Sequence, residues 1–283
     1  MPETLAQPVN YRRQDASPDA VSRDVDYAVQ VALNYANWIG SALHDTSAGL
    51  SVASGLRILE LGPGPSLGTA ILLAAAGARV TVADRFAAQW DEDYHPKVMR
   101  GLIERARTLP GVEVTLIEDL VRANDFAPHV VTFREYAAEE LQHLPKGSVD
   151  VVLSNAVLEH LVDVPQAFAG LAHITARGGV GLHQVDFRDH RDFSRPLEYL
   201  TMSDADFRAM FAERNGECGN RWRPKQMARA FEAAGMPPRV CAPNMSADPA
   251  YVEEIRPRLH PDVLPMETEE LEVISAYFVV ERR

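Results

Sequence analysis

Two groups of residues in this sequence have types and spacings that suit chemistry. The first is Ile58 to Gly68, ILELGPGPSLG, where an apolar run ends on the carboxylate of Glu60 and breaks into a loop with glycines at 62, 64 and 68. Such a turn presents backbone N–H groups and the positive end of a following helix, a bed for a nucleotide-like ligand against bare main chain. The second is HQVDFRDHRD, residues 183 to 192. Here His183 or His190 offers an imidazole that changes charge near neutral pH, with Asp186 beside them, so the group suits general acid–base work. The competing reading is a solvated charged loop.

These residues need elements to hold them. LRILEL, a helix from about Leu67 to Ala76 stopped by Gly77, and RVTVADR read as strand, helix, strand. SVDVVLSN is a nearly continuous apolar strand of the kind covered on both faces, and GGVGLHQVDF reads as a fifth strand. Between them lie a helix over PKVMRGLIERARTL, the segments VEVTLIED and VVTFREY (the second the better strand), an acidic helix over AAEELQHL, and one or two helical pieces in AVLEHLVDVPQAFAGLAHIT. Val25, Val29, Ala32, Leu33, Ala36 and Ile39 recur at three- and four-residue steps, predicting an amphipathic helix over Val21–Leu43 that packs on the main domain. PKQMARAFEAAG reads as a late helix and ISAYFVVER as the final strand. The alternation predicts an α/β protein with a doubly wound sheet, whose ligand lies at the carboxyl ends of the strands.

The loop spacing narrows the ligand. A dinucleotide fingerprint needs G-x-G-x-x-G, whereas G-P-G-P-S-L-G is one residue longer before its last glycine, which disfavours a nicotinamide dehydrogenase. The lysine of a phosphate-gripping P-loop is missing. Glu60, Gly62 and Gly64 instead match E/D-x-G-x-G-x-G, with Ser66 at the third glycine position, and Asp84 closes the second strand. With AAEEL, DVVLSNAVLEHL and LAHITARGGVGLH in order behind them, these motifs resemble the class I S-adenosylmethionine-dependent methyltransferases, type 11-like, over roughly residues 55 to 185.

The resemblance implies a mostly parallel, seven-stranded, Rossmann-like methyltransferase fold. Residues 1–50 would be an N-terminal tail and helical extension, and 51–283 the methyltransferase domain, with a lid-like insertion after the fifth strand at about 188–223. It implies S-adenosylmethionine as cofactor, held by Glu60, Gly62, Gly64, Ser66, Asp84 as acceptor for the ribose hydroxyls, Arg85, Asn155 and Ala156. Ala137 stands where the family's adenine-side aspartate is usual, so that contact falls to the backbone of Ala138, with Glu135 as an alternative. His160 in LEHL is read as a packing or loop histidine rather than a base.

The expected activity is transfer of the methyl group to a small-molecule acceptor, a hydroxyl of a saccharide or related metabolite, with His183, Asp186 and His190 as catalytic candidates. WDEDYH, HQVDFRDHRDF and NRWRPKQM resemble, more weakly, methyltransferases of bacterial cell-surface polysaccharide and glycolipid pathways. Trp90, Asp91, Tyr94, His95, Tyr199, Asn220, Arg221, Trp222 and Arg223 would supply aromatic plates and fork-shaped donors to such an acceptor, or serve packing. The alternatives are N- or carboxyl methylation of a small metabolite, or a catalytically silent binding module. A magnesium ion on His183, Asp186 and Asp189 would suit those ligand types, but the spacing matches no fixed metal motif and no metal ligand is assigned.

Composition bounds these readings. With 283 residues, 46% hydrophobic and 24% charged, the chain is of ordinary globular make-up. Its formal charge of -12 disfavours a nucleic-acid partner, NRWRPK being too short to reverse it. Cys218 and Cys241 show no paired spacing, which fits a reducing compartment. The N-terminus carries no apolar h-region and no run approaches the roughly 20 residues of a membrane span, so the expected location is cytoplasmic. A homodimer is left open.

Overall fold

The structure, a computed structural model, describes residues 14–86, 88–126, 130–213, 219–263 and 265–283. Most of the polar tail expected over residues 1–20, Cys218, and part of the expected insertion lie outside the described residues. Helix α1 (Pro18–Leu43) starts with Ser17 Oγ accepting the Ala20 N–H and a proline in the first turn. Its apolar stripe, Val25, Ala28, Ala32, Tyr35, Ala36 and Ile39, is buried. It rests on α2 (Gly68–Ala75) and α3 (His95–Ala106), and two glycines permit the approach: a Cβ at Gly68 would lie 2.7 Å from Ala28 Cβ, and one at Gly101 2.7 Å from Val25 Cγ2.

Seven strands form one sheet: β1 (Arg57–Leu61), β2 (Arg79–Asp84), β3 (Val131–Glu135), β4 (Val149–Asn155), β5 (Thr175–Asp186), β6 (Pro238–Ser246) and β7 (Val273–Glu281). Their order is β3-β2-β1-β4-β5-β7-β6, with β7 antiparallel to both neighbours and the remaining pairs parallel. The chain progresses in opposite directions from β1 and β4, so a crevice opens at their carboxyl ends. Register places Leu61 beside Ala83 and Ser154, and Asn155 beside Gln184, so Glu60, Asp84, Asn155 and Asp186 all come to one edge.

Strand alternation sorts side chains onto two faces. Ile58, Val80, Val151 and Leu182 pack under α1, α2 and α3, while Leu59, Val152, Val185 and Phe278 pack under α5 (Val164–Ile174) and α7 (Pro224–Ala233). VEVTLIED, the weaker strand candidate, is helix α4 (Val114–Ala123): Ile117 and Leu120 are buried three residues apart while charged Glu118 and Asp119 lie between them, a helical rather than a period-2 pattern. AAEELQHL forms only a 3-10 turn, Ala138–His143. Strand β6, not read from the sequence, carries Pro238 and Pro243. An edge strand paired only with β7 tolerates them, because its outer N–H groups have no ladder to join. The segment after β5 holds a 3-10 turn (Glu198–Thr201) and α6 (Asp204–Glu213); α8 (Pro249–Ile255) and the short α9 (Thr268–Glu272) precede β7.

Candidate functional site

The glycine loop is built to stay open. Gly62 has φ 61° and donates its N–H to Ala83 O at 2.9 Å; a Cβ there would meet Val157 Cγ2 at 2.5 Å. Gly64, φ 68°, has no described residue within 4 Å of where a Cβ would stand, so among the described residues its face of the loop is open to a ligand. Ser66 Oγ accepts the Gly68 N–H at 3.2 Å, closing the turn into α2 at the position where the family motif has its third glycine. His95 braces the loop from outside: its Nδ1 accepts the Asp91 N–H at 2.7 Å and its Nε2–H donates to Pro65 O at 2.9 Å. Burial holds this imidazole below its usual pKa, consistent with the neutral tautomer these two bonds require. Trp90 stacks on His95, and Tyr94 OH donates to Asp24 on α1 at 2.7 Å. The WDEDYH segment therefore serves loop support.

Beside the loop lies a buried polar pocket under α1. Glu60 is 4% exposed, its Oε2 has no hydrogen-bond partner among the described residues, and burial raises its pKa to about 8. The hydroxyl of Tyr35 is also buried and unpartnered, and its pKa is raised first by burial and then by the Glu60 charge. Asn155 Nδ2 donates to Tyr27 OH at 2.5 Å, tying the end of β4 to α1. Asp84 Oδ1 accepts the Phe86 N–H at 3.0 Å, and Arg85 donates to His160 O at 2.9 Å. Ala156 takes the left-handed conformation, φ 54°, its N–H shared between Gln184 O and Oε1. Ala138 is buried at the start of its 3-10 turn.

The second cluster divides. His183 does not reach the edge crevice. It sits one residue out of phase with Gln184 and Asp186, so alternation turns it to the opposite face from Glu60, where it stacks on Phe231 of α7 and pairs with Ser154 Oγ at 2.8 Å. It is 0% exposed and burial lowers its pKa to about 3, which makes it a neutral core residue and leaves the base role to other groups. Asp186 accepts a bidentate pair from Arg188 (2.6 to 3.1 Å), and Asp189 holds Arg191 likewise. A metal set on His183, Asp186 and Asp189 therefore does not assemble. His190 does stay at the edge: its Nε2 is 3.8 Å from Asp186 Oδ2, and its ring meets that of His160 edge-on at 5.2 Å.

Glu159, which was not among the sequence-predicted site residues, is buried at this spot, and among the described residues no side chain donates to either carboxylate oxygen. Burial pushes its pKa well above the usual range, and the nearby Asp186 charge adds to the effect. Its helical-looking apolar surroundings, AVLEHL, were the available signal. Asn220 fixes the turn beneath it, donating Nδ2 to Leu158 O, Glu159 O and Leu161 O at 2.9 to 3.2 Å. Arg223 is 0% exposed and donates to Phe187 O, Tyr199 OH, Glu270 O, Leu271 O and Val273 O; Tyr199 OH donates to Phe187 O. These two staple the insertion to β7. Trp222 and Asn220 line a cavity of about 550 Å³ with Asp204, Arg208, Arg221 and Asp262.

A family model described as a methyltransferase domain matches residues 33–237. The chain belongs to this methyltransferase family. No curated protein matches it in sequence. The methyltransferase is similar in fold to the S-adenosylmethionine-dependent methyltransferase of Mesorhizobium loti, with 16% identity over 81% of this chain and 92% of that one and a TM-score of 0.47. It is also similar to the geranyl diphosphate C-methyltransferase of Streptomyces coelicolor in complex with Mg2+, geranyl diphosphate and S-adenosyl-L-homocysteine, with 16% identity, coverage of 88% and 77%, and a TM-score of 0.48.

The methyltransferase uses S-adenosylmethionine, and the edge crevice fits that group on its own terms. An unpartnered buried carboxylate at Glu60 suits a cationic ligand, and the open face at Gly64 admits a ligand against main chain. Among the described residues no helix is long and apolar enough to cross a membrane.

Proposed function

We propose that this methyltransferase methylates a hydroxyl of a small polar acceptor, a saccharide or related metabolite, and that His190 accepts the hydroxyl proton beside the Asp186–Arg188 ion pair. The observation that carries this reading is the meeting of His190 and Asp186 at 3.8 Å, at the strand edge that also presents Glu60 and Asn155. A hydroxyl must lose its proton as it attacks, and a positioned imidazole commonly contributes about 10²- to 10⁴-fold to such a step.

When bound, S-adenosylmethionine supplies a methyl group on a sulfonium centre. Glu60 and Asp84, with the main chain at Gly62 and Gly64, would hold it, and Ala138, Asn155 and Ala156 would flank it. Arg188 neutralises Asp186, so the dyad carries less negative charge than a lone carboxylate would give it. The acceptor would reach the edge from the cavity of about 550 Å³ lined by Asn220 and Trp222, two residues that also line the small pocket at Glu159 and Asp186. Its wall sets the carboxylates of Asp204 and Asp262 and the guanidinium groups of Arg208 and Arg221 beside Trp222, Phe207, Val162 and Val263, a mixture that suits the polar edges and apolar faces of a sugar ring. Few cysteines support a reducing, cytoplasmic setting as part of the same reading.

Radiolabelled methyl transfer to a panel of saccharides, amines and carboxylic acids tests the proposal. Label on a hydroxyl, absent from the matching deoxy analogue, is the expected result. Label confined to nitrogen or carboxylate acceptors would refute it.

A further inference from the structure

We propose that Glu159, His160 and His190 form a binding site for a divalent transition-metal ion of the zinc and cobalt class. Each of the three offers one ligand atom, and these atoms lie within 4.8 Å of one another. The inference deepens the proposed acceptor site, because the ion would stand where the acceptor hydroxyl is deprotonated, but ion binding itself does not depend on that reading.

Glu159 makes the case. Its side chain is nine-tenths or more buried, among the described residues no side chain donates to either oxygen, and its ligand atom lies within 4.8 Å of those of the two imidazoles. The backbone N–H groups of Glu159 and Asp186 favour its charge only in part, and a buried carboxylate so sparsely supplied with donors is costly unless a proton or a cation neutralises it. The other carboxylates nearby are already committed: Asp186 to Arg188 and Asp189 to Arg191. Among the described residues nearby, Glu159 is the carboxylate left over. His190 Nε2 likewise has no hydrogen-bond partner, its contact with Asp186 being 3.8 Å.

The donor set selects the metal. Two imidazoles and one carboxylate suit zinc, cobalt or iron(II), whereas magnesium and calcium prefer shells made of oxygen. Metal–nitrogen and metal–oxygen bonds of about 2.0 to 2.2 Å would bring the three atoms closer together than 4.8 Å. Two ligands sit on a backbone that is fixed by Asn220 through the carbonyls of Leu158, Glu159 and Leu161 and by Arg85 through His160 O. The adjustment therefore falls to His190, on the loop after β5. Three protein ligands leave a position open for an acceptor oxygen, whose proton the ion would make easier to remove. With the ion in place His190 is a ligand in place of the base described above, and the proton leaves to solvent; in the ion-free protein His190 accepts it.

The test uses the full chain, stripped with chelator and titrated with Co2+ alone, without S-adenosylmethionine. One equivalent should bind with a visible ligand-field band, and proton spectra should show two paramagnetically shifted imidazole N–H signals. His190→Ala and Glu159→Gln should each weaken binding at least tenfold, while His173→Gln, whose parent ring bonds Leu144 O away from the cluster, should leave it unchanged. No saturable Co2+ binding, or binding without shifted imidazole signals, overturns the proposal even if Glu159→Gln fails to fold. So does wild-type affinity in His190→Ala. Calorimetry with S-adenosylmethionine on the same stripped protein reports the cofactor site separately, so failure of one leaves the other standing.

Discussion

Asn155, the last residue of β4, donates its amide to the hydroxyl of Tyr27 on helix α1, across 128 residues of sequence, at 2.5 Å. The bond closes the N-terminal helix over the polar pocket that contains Glu60 and Tyr35. Tyr27 itself is more than half exposed, so the contact holds the helix at the site without contributing much to the core. Replacing it with Phe should weaken S-adenosylmethionine binding by about three- to tenfold, consistent with loss of one hydrogen bond of about 1 kcal/mol, and leave the melting temperature within a few degrees. Calorimetry and thermal unfolding of Tyr27→Phe measure both.

Glu60 and His183 give the protein opposite pH dependences. Glu60 titrates near 8 in the fold and about 4.5 in an unfolded chain. Its protonated form is favoured by folding, so the stability it contributes is present below about pH 4.5 and is lost as pH rises to about 8. His183, lowered to about 3 from about 6.5, contributes stability that is present above about pH 6.5 and is lost as pH falls toward 3. Without cofactor the two slopes oppose each other between about pH 4.5 and 6.5. Glu60→Gln should flatten the alkaline fall in melting temperature, and His183→Gln the acid fall. An unchanged curve in either variant would show that the residue is not the source.

The Glu60→Gln variant also separates stability from binding. It should be at least as stable as wild type at pH 8, because an ionisable group is removed from a dry site. It should bind S-adenosylmethionine at least tenfold more weakly if Glu60 holds the cationic cofactor as proposed, because that carboxylate is lost. Calorimetry at pH 8 compares the two proteins directly.

His190→Ala and Asp186→Asn should lower turnover on a hydroxyl acceptor by about 10²-fold or more with the cofactor dissociation constant unchanged, while His183→Gln should keep turnover within a few-fold. If His183→Gln abolishes turnover at intact cofactor affinity, the core assignment of that ring is wrong.

Arg223→Met should destabilise the protein by about 3 to 5 kcal/mol, since its guanidinium is the shared donor for carbonyls on Phe187, Glu270, Leu271 and Val273. Denaturant unfolding gives the value. Gly62→Ala should cost about 1 to 3 kcal/mol and reduce cofactor binding, because it adds both positive-φ strain and a clash with Val157. Val157→Ala should recover only the part due to the clash.

Local order in the sequence determined much of this protein. ILELGPGPSLG and RVTVADR each carry a strand and its polar end within a few residues, so the parallel sheet, the bare-backbone loop and the positions of Glu60 and Asp84 follow from hydrophobic period and turn chemistry alone. The stripe on α1 and the strand character of SVDVVLSN were legible for the same reason. The tertiary structure decided which polar residues meet. His183 and Asp186 are three positions apart in HQVD, yet alternation sends one beneath α7 and the other to the crevice. Glu159, read as part of an apolar helix, becomes a buried carboxylate only because the turn held by Asn220 folds it toward His190. Trp90, His95 and Arg223 have the side chains of a binding surface and serve as braces, because the groups they bond come from other parts of the chain. Strand β6 exists only because β7 offers it an edge. A sequence states the type and local phase of each side chain; its partner depends on distant segments packed against it, and that partner sets whether a charge is dry, paired or available.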